Sequence, residues 1–146
     1  MKIRLVWVGK TKDRCIDEGI KRYLRLLRPF GDVSVVEIKE EKGKDIHRMI
    51  EKEGERILKL PTPYVLLDEK GKGFTSSEFA DFLSGRSPLI TFVTGGAYGV
   101  SERVREAAEG TVALSKMTLT HEMARLLLVE QIYRAFTILH KRGYHH

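Results

Sequence analysis

The feature that most constrains this fold is an alternation of short apolar, β-branched runs with longer segments of helical periodicity. Apolar runs predict five strands, at residues 2–8, 33–38, 64–67, 89–93 and 111–114. Strands separated by helices need crossover connections, which favour a mostly parallel sheet with helices on both faces. The sequence therefore predicts an α/β fold, and its 146 residues are the size of a single domain, residues 1–146.

Side chains that cap helices mark where three of the helices begin. Asp13 precedes a helix with an apolar face, Thr75 and Glu78 have the spacing of a capping box, and Ser101 precedes a fourth helix. We expect residues 71–73, Gly-Lys-Gly, to form a flexible loop after the third strand.

Charge and cysteine usage limit the possible partners and the compartment. The net charge is +6, which favours binding to a polyanion such as nucleic acid, although a solvated basic surface gives the same excess. Cys15 is the only cysteine and cannot form an internal disulfide. No apolar stretch has the length needed to span a bilayer. We therefore expect a cytoplasmic protein that does not enter a membrane.

Unusual sequence follows three successive strands, where parallel α/β sheets bind their ligands. The third strand ends at Asp68, the fourth at the Gly95-Gly96 pair, and the fifth leads into residues 114–119. Glycines at the fourth strand end allow a ligand to approach the backbone, but they also suit a tight turn with no ligand. Residues 114–119 either enclose a flat apolar ring such as adenine or pack on their own core. If these loops converge, they line one pocket.

The last predicted helix, residues 121–140, is nearly apolar all round, so it must be buried on several sides. A sheet covers only one of those sides. We expect a second subunit to cover another, most simply through a twofold axis, and the alternative is a central helix covered entirely within one monomer.

Several motifs along the chain resemble one known family. They are residues 2–9, 66–68 with Gly71-Lys72, the run Gly95-Gly-Ala-Tyr-Gly99, residues 114–121 with Arg125, residues 130–136, and the tail Tyr144-His145. Together they resemble the RlmH family of SPOUT-class methyltransferases, which modify N3 of a pseudouridine in large-subunit (23S) ribosomal RNA. One departure is Thr120, where the family commonly has proline.

The resemblance implies a SPOUT fold with a C-terminal trefoil knot, although knots are very rare among folds. It implies S-adenosyl-L-methionine as cofactor, ribosomal RNA in the large subunit or assembled ribosome as substrate, and a homodimer whose subunits share the site. Carried over by position, the cofactor contacts are Leu67, Gly95, Leu114, Ser115, Lys116, Met117, Thr118 and Leu119.

The resemblance also gives roles to the tail and the last helix. We interpret His145 as the first candidate to accept the proton of the target base, because imidazole titrates near neutral pH. Tyr144 would stack on that base or hydrogen-bond to it. His121, Arg125 and Arg142 are candidates for binding the substrate, with a structural role left open for the first two.

Other classes of function share some of these features. A non-catalytic RNA- or ribosome-binding protein would have the same charge and dimer without a cofactor. An enzyme acting on a small nucleotide would bind with weaker salt dependence. No residues have the spacing of metal ligands, so we expect no metal: Arg125 stands where a zinc-protease motif beginning at His121 would need its second histidine.

Overall fold

The computed structural model describes residues 1–61, 63–86 and 88–146. Strands and helices alternate throughout. The ten elements are β1 (Lys2–Val8), α1 (Arg14–Leu27), β2 (Asp32–Ile38), α2 (Ile46–Leu58), β3 (Val65–Gly73), α3 (Ser76–Ser84), β4 (Leu89–Thr94), α4 (Glu102–Ala107), β5 (Gly110–Ala113) and α5 (His121–Leu139).

The five strands form one sheet in the order β2-β1-β4-β3-β5, and every pairing is parallel. Residues alternate across the sheet, so Ile3, Leu5 and Trp7 of β1 face a core formed with α1, α3 and α5. Val6 and Val8 face a second core formed with α2 and α4. The predicted α/β class, with helices on both faces, is confirmed.

The predicted helix caps are also confirmed. Asp13 accepts a hydrogen bond from the backbone of Ile16, and Ser101 accepts one from Val104. Thr75 and Glu78 form the capping box that their spacing predicts. These side chains fix the starts of α1, α3 and α4 because the first N–H groups of a helix have no partner within it.

The third strand differs from the prediction. It runs on to Gly73, where the sequence indicated a flexible loop over residues 71–73. Leu67 and Lys72 both pair with Val112 of β5, so the residues between them bulge out of the ladder. Polar residues and glycine in sequence predict a turn here. The chain instead returns to the sheet because Lys72 and Gly73 pair with β5 after the bulge.

Neighbours within one protomer cover more of α5 than the sequence indicated. The helix packs against β4 and lies between α1 and α3. Met123 and Leu139 are each 37 % exposed, near opposite ends of the helix and on different faces of it. Most of the surface of α5 is therefore covered within one protomer, as the alternative of a central helix expects. The second subunit stays a prediction for the surface that remains exposed.

The chain between β5 and α5 crosses the carboxyl edge of the sheet. β5 is an edge strand, whereas the first turns of α5 contact the end of β1, three strands away. The trefoil knot stays a prediction. Within the described chain, no helix combines the length and the apolar character that a membrane span requires.

Candidate functional site

A cleft of about 370 Å³ opens at the carboxyl ends of β3, β4 and β5. These three strands are neighbours in the sheet, so the segments that follow them meet at one edge. The cleft is lined by Leu67, Asp68, Glu69, Lys70, Thr94, Gly95, Gly96, Ala97, Gly99, Val100, Arg105, Leu114, Ser115, Met117, Thr118, Leu119, His121 and Ala124. The three strand ends chosen from the sequence therefore do converge.

One wall of the cleft is a tight turn after β4. The N–H of Gly99 donates to the carbonyl of Gly96 at 3.1 Å, and Gly99 has φ +84, which favours glycine. A Cβ on Gly95 would lie 2.9 Å from the backbone of Gly99. The turn itself therefore requires glycine at position 95, whether or not a ligand is bound.

The hydroxyl of Thr94 is a polar group in this wall that lacks a partner. Thr94 is the last residue of β4 and lines the cleft, with 5 % of its surface exposed. No atom among the described residues makes a hydrogen bond with its Oγ1. A buried hydroxyl without a partner is costly, so this atom is suited to hydrogen-bond a bound molecule.

Acidic side chains from the bulge of β3 also line the cleft. Asp68 makes an ion pair with Arg105 of α4 and accepts a hydrogen bond from the backbone of Lys70 at 2.9 Å. Glu69 accepts a hydrogen bond from the hydroxyl of Thr118. These contacts hold the bulge of β3 against both α4 and the segment that leads to α5.

His121 starts α5 at the edge of the cleft and is half-buried. Thr120 caps the helix by accepting a hydrogen bond from the backbone of Met123 at 3.2 Å. Burial lowers the pKa of His121 below its ordinary value of 6.5, and the charge of nearby Arg125 lowers it further. The imidazole is therefore neutral at neutral pH and can accept a hydrogen bond.

Arg125 is fully buried, so the structure does not support the prediction that it binds substrate. Its Nη1 donates to the carbonyl of Gly9 at 3.1 Å and to the hydroxyl of Thr11 at 3.0 Å. Its Nη2 donates to the carbonyl of Val8, and its guanidinium lies 5.1 Å from the ring centre of Trp7. The structure gives Arg125 the structural role that the sequence left open.

The C-terminal tail lies outside its own protomer's cleft. The hydroxyl of Tyr144 donates to Glu130 at 3.0 Å, and its ring packs edge-on against Tyr133 at 4.8 Å. His145 is exposed, and its Nδ1 lies 3.1 Å from Nη1 of Arg134. Glu130, on which Tyr144 docks, lies about 13 Å along α5 from His121 at the cleft, at about 1.5 Å per residue. The tail is therefore separated from the cleft of its own protomer.

Two further predicted residues lie outside the cleft lining. Lys116 is exposed beside the residues that line it, on the segment between β5 and α5. Arg142 is exposed beyond the end of α5 and lies over the ring of Phe30, 5.6 Å from its centre. Since α5 runs away from the carboxyl edge, Arg142 lies near the opposite edge of the sheet.

Most of the carried-over cofactor residues and His121 therefore come together, whereas Arg125, Arg142, Tyr144 and His145 do not join them within one protomer.

Sequence reasoning missed Thr94 and Arg105. Thr94 directly precedes the Gly95-Gly96 pair, and that position at a strand end was an available signal. Arg105 has no comparable signal, because only the tertiary fold pairs it with Asp68. The described residues hold no group of three potential metal ligands.

The fold and the cleft define an α/β protein with a ligand site at the carboxyl ends of its parallel strands. Residues 1–145 match the family described as "Predicted SPOUT methyltransferase". The chain belongs to this SPOUT methyltransferase family.

Curated relatives match over the full chain. The chain is 46 % identical over 146 residues to the "Ribosomal RNA large subunit methyltransferase H" of Thermodesulfovibrio yellowstonii, covering 99 % of each chain. It is 43 % identical over 153 residues to the protein of the same name from Geotalea uraniireducens, covering 100 % of each. A solved structure, a probable methylase family protein from Haemophilus influenzae, has the same fold, with a TM-score of 0.56 at 12 % identity over 99 % of this chain and 70 % of that one.

Proposed function

We propose that this protein is a cytoplasmic enzyme that transfers a methyl group from S-adenosyl-L-methionine to N3 of a pseudouridine in large-subunit ribosomal RNA. It acts as a homodimer of single-domain subunits, residues 1–146. The observation that carries the proposal is that the segments after β3, β4 and β5 line one common cleft. The names of the curated relatives support ribosomal RNA as the substrate.

The cleft residues fit this cofactor. Its volume of about 370 Å³ lies within the range of small-molecule sites. Leu67, Leu114 and Leu119 provide apolar walls for the adenine ring, and the Thr94 hydroxyl offers a hydrogen bond that nothing in the described chain satisfies. The lining carries charges of both signs, since Asp68 makes an ion pair with Arg105; this suits a ligand that bears both a carboxylate and cationic groups.

When bound, S-adenosyl-L-methionine would supply an electrophilic methyl group on sulfur for transfer to the ring nitrogen of the base, with the neutral thioether as the leaving group. The chain's own contribution is to hold the two reactants in line, which is a large part of catalysis for a reaction with a good leaving group. The proton on the ring nitrogen must leave, and His145 is the group proposed to accept it. Tyr144 is proposed to stack on the base.

The position of the tail supports a site shared between subunits. Tyr144 and His145 lie on the α1–α5 side of their own protomer, away from its cleft. Leu139, at the end of α5 that leads into the tail, is 37 % exposed and offers an apolar contact for a partner subunit. In this arrangement the tail of one subunit serves the cleft of its partner.

Calorimetry with S-adenosyl-L-methionine, followed by labelled methyl transfer to ribosomes that lack the modification, tests the proposal. We expect binding by the folded protein and a product identified as N3-methylpseudouridine. The absence of binding would favour a non-catalytic RNA-binding protein. Light scattering at micromolar concentration tests the dimer, and a monomer mass would contradict it.

Mixed dimers test the shared site. One subunit lacks residues 144–146, and the other carries Ser115→Trp, which fills its cleft. Each homodimer should be inactive, whereas mixing them should restore transfer at the one cleft that is open and faces an intact tail. No recovery in mixed dimers that form normally would mean that the tail does not serve the partner's cleft.

A further inference from the structure

A second concave region lies between the β2–α2 loop and the first turns of α2, outside the cleft. Its volume is about 210 Å³. It is lined by Glu41, Lys42, Gly43, Lys44, Asp45, Arg48, Met49 and Lys52. We call it the basic hollow, because four of its eight lining residues are cationic.

The four cations of the basic hollow are available to a ligand. Lys42, Lys44, Arg48 and Lys52 are exposed, and none of them forms an ion pair with any residue in the described part of the chain. Like charges this close repel one another, so an anion that bridges them is favoured.

The two acidic residues in the lining are already engaged. Glu41 forms an ion pair with Arg56 of α2, on the flank of the helix. Asp45 caps α2 by accepting a hydrogen bond from the backbone of Arg48 at 3.2 Å. Their charges are therefore partly balanced by existing contacts, and the hollow presents a net positive surface.

The loop that carries these lysines is held in place by α2. Buried Glu53 accepts a hydrogen bond from the backbone of Glu41 at 2.9 Å. Arg56 donates to the carbonyl of Lys39 at 2.8 Å. The anchored backbone lowers the entropy lost when the lysines bind, although their side chains stay free to adjust.

The basic hollow lies on the same edge of the sheet as the cleft. Every strand is parallel, so the loop after β2 projects from the carboxyl edge, as do the segments after β3, β4 and β5. β2 and β4 are separated only by β1, which places the hollow about 10 Å along the sheet from the end of β4, at about 4.8 Å per strand. A single strand of RNA spans that distance with a few nucleotides.

We propose that Lys42, Lys44, Arg48 and Lys52 bind the phosphates of the ribosomal RNA strand whose target base enters the cleft. The inference rests on the proposed function, because it assigns a binding surface to that substrate. Phosphate contacts would set the position of the strand along the sheet edge, whereas the cleft would select the base.

The test compares two variants that each lose four positive charges. The first replaces Lys42, Lys44, Arg48 and Lys52 with glutamine. The control replaces Arg22, Arg25, Arg28 and Lys59 with glutamine; these residues are exposed on α1 and at the ends of α1 and α2, away from the carboxyl edge. Both are measured for ribosome binding at several salt concentrations, for cofactor binding and for methyl transfer.

We expect the hollow variant to bind unmodified ribosomes at least about tenfold more weakly than the control in low salt. The slope of log K against log salt should become shallower by about 0.7 for each phosphate of a single strand that the variant no longer neutralises. Cofactor affinity should not change, and kcat at saturating ribosomes should stay close to that of the wild type.

Three results would overturn the inference: ribosome affinity equal to that of the wild type, an equal reduction in the control, or a reduced affinity with an unchanged salt slope. The last would indicate binding to something other than phosphates, such as a ribosomal protein. If the wild type binds ribosomes without methylating them, the proposed reaction fails, yet the binding comparison still decides the role of the hollow.

Discussion

Nη2 of Arg125 donates a hydrogen bond to the carbonyl oxygen of Val8 at 2.6 Å, which joins the second turn of α5 to the last residue of β1. The same guanidinium also holds Gly9 and Thr11. The segment between β5 and α5, which lines the cleft, therefore leads directly into a helix that is fixed to the end of β1.

Replacing Arg125 with methionine should destabilise the protein by about 2–4 kcal/mol. Methionine keeps much of the side-chain volume but leaves the carbonyls of Val8 and Gly9 without their donor. Urea denaturation measures the change, with exposed Arg103→Met of α4 as the control. Normal stability together with abolished methyl transfer would return Arg125 to the substrate-binding role predicted from the sequence.

Replacing Thr94 with valine should weaken cofactor binding by about 1 kcal/mol or more without destabilising the free protein. The hydroxyl has no partner in the described chain, so its removal costs a hydrogen bond only when a ligand supplies one. Calorimetry measures the affinity. The control is Thr137→Val, a buried hydroxyl bonded within α5. Unchanged affinity in Thr94→Val would mean that the hydroxyl does not contact the cofactor.

Replacing Glu122 with glutamine should destabilise the protein by about 1–3 kcal/mol at neutral pH. Burial alone would raise the pKa of Glu122, but hydrogen bonds from the backbones of Asp13 and Lys12 outweigh it and lower the pKa below 4.5. A lowered pKa adds stability above pH 4.5, and that stability is lost as the pH falls through the folded-state value.

The difference between wild type and Glu122→Gln should therefore shrink in acid. Urea midpoints from pH 7 down to pH 3 measure it, with exposed Glu106→Gln as the control. A difference that grows in acid would contradict this assignment of the carboxylate.

Replacing Glu53 with glutamine should stabilise the protein at neutral pH. Burial raises the pKa of this carboxyl, which is only 7 % exposed, although the backbone of Glu41 donates a hydrogen bond to it. A raised pKa means that stability is lost as the pH rises through the folded-state value, because the charged form is costly to bury. Glutamine keeps an acceptor for Glu41 and carries no charge.

Thermal unfolding at pH 8 and at pH 4.5 measures this effect. The gain in Glu53→Gln should be larger at pH 8 than at pH 4.5, because a larger fraction of the wild-type carboxyl is charged at the higher pH. Glu55→Gln, exposed on the same helix, should change little at either pH. A variant less stable than the wild type at pH 8 would contradict the prediction.

Local patterns were sufficient to indicate the elements of this fold, although not the full length of β3. The apolar runs indicated all five strands, and Asp13, Thr75 and Ser101 marked helix starts because a cap acts within three residues of itself. The same reasoning located the cleft, since parallel strands must present their carboxyl ends at one edge.

Contacts between distant parts of the chain were not predictable in this way. The return of β3 into the sheet depends on β5, and the burial of Arg125 depends on the end of β1. The docking of Tyr144 on Glu130 likewise needs the path of the tail after α5. Each of these depends on tertiary neighbours, and hydrophobic periodicity carries no information about them.

The carboxylate of Glu122 joins the cleft end of α5 directly to the start of α1. It stands one residue after His121 at the cleft and holds the amides of Lys12 and Asp13 at the start of α1. A ligand that rigidifies the beginning of α5 should thus slow hydrogen exchange at those two amides. Ligand binding in the cleft would then be detectable by hydrogen exchange at the start of α1, a helix that contributes no residue to the cleft lining.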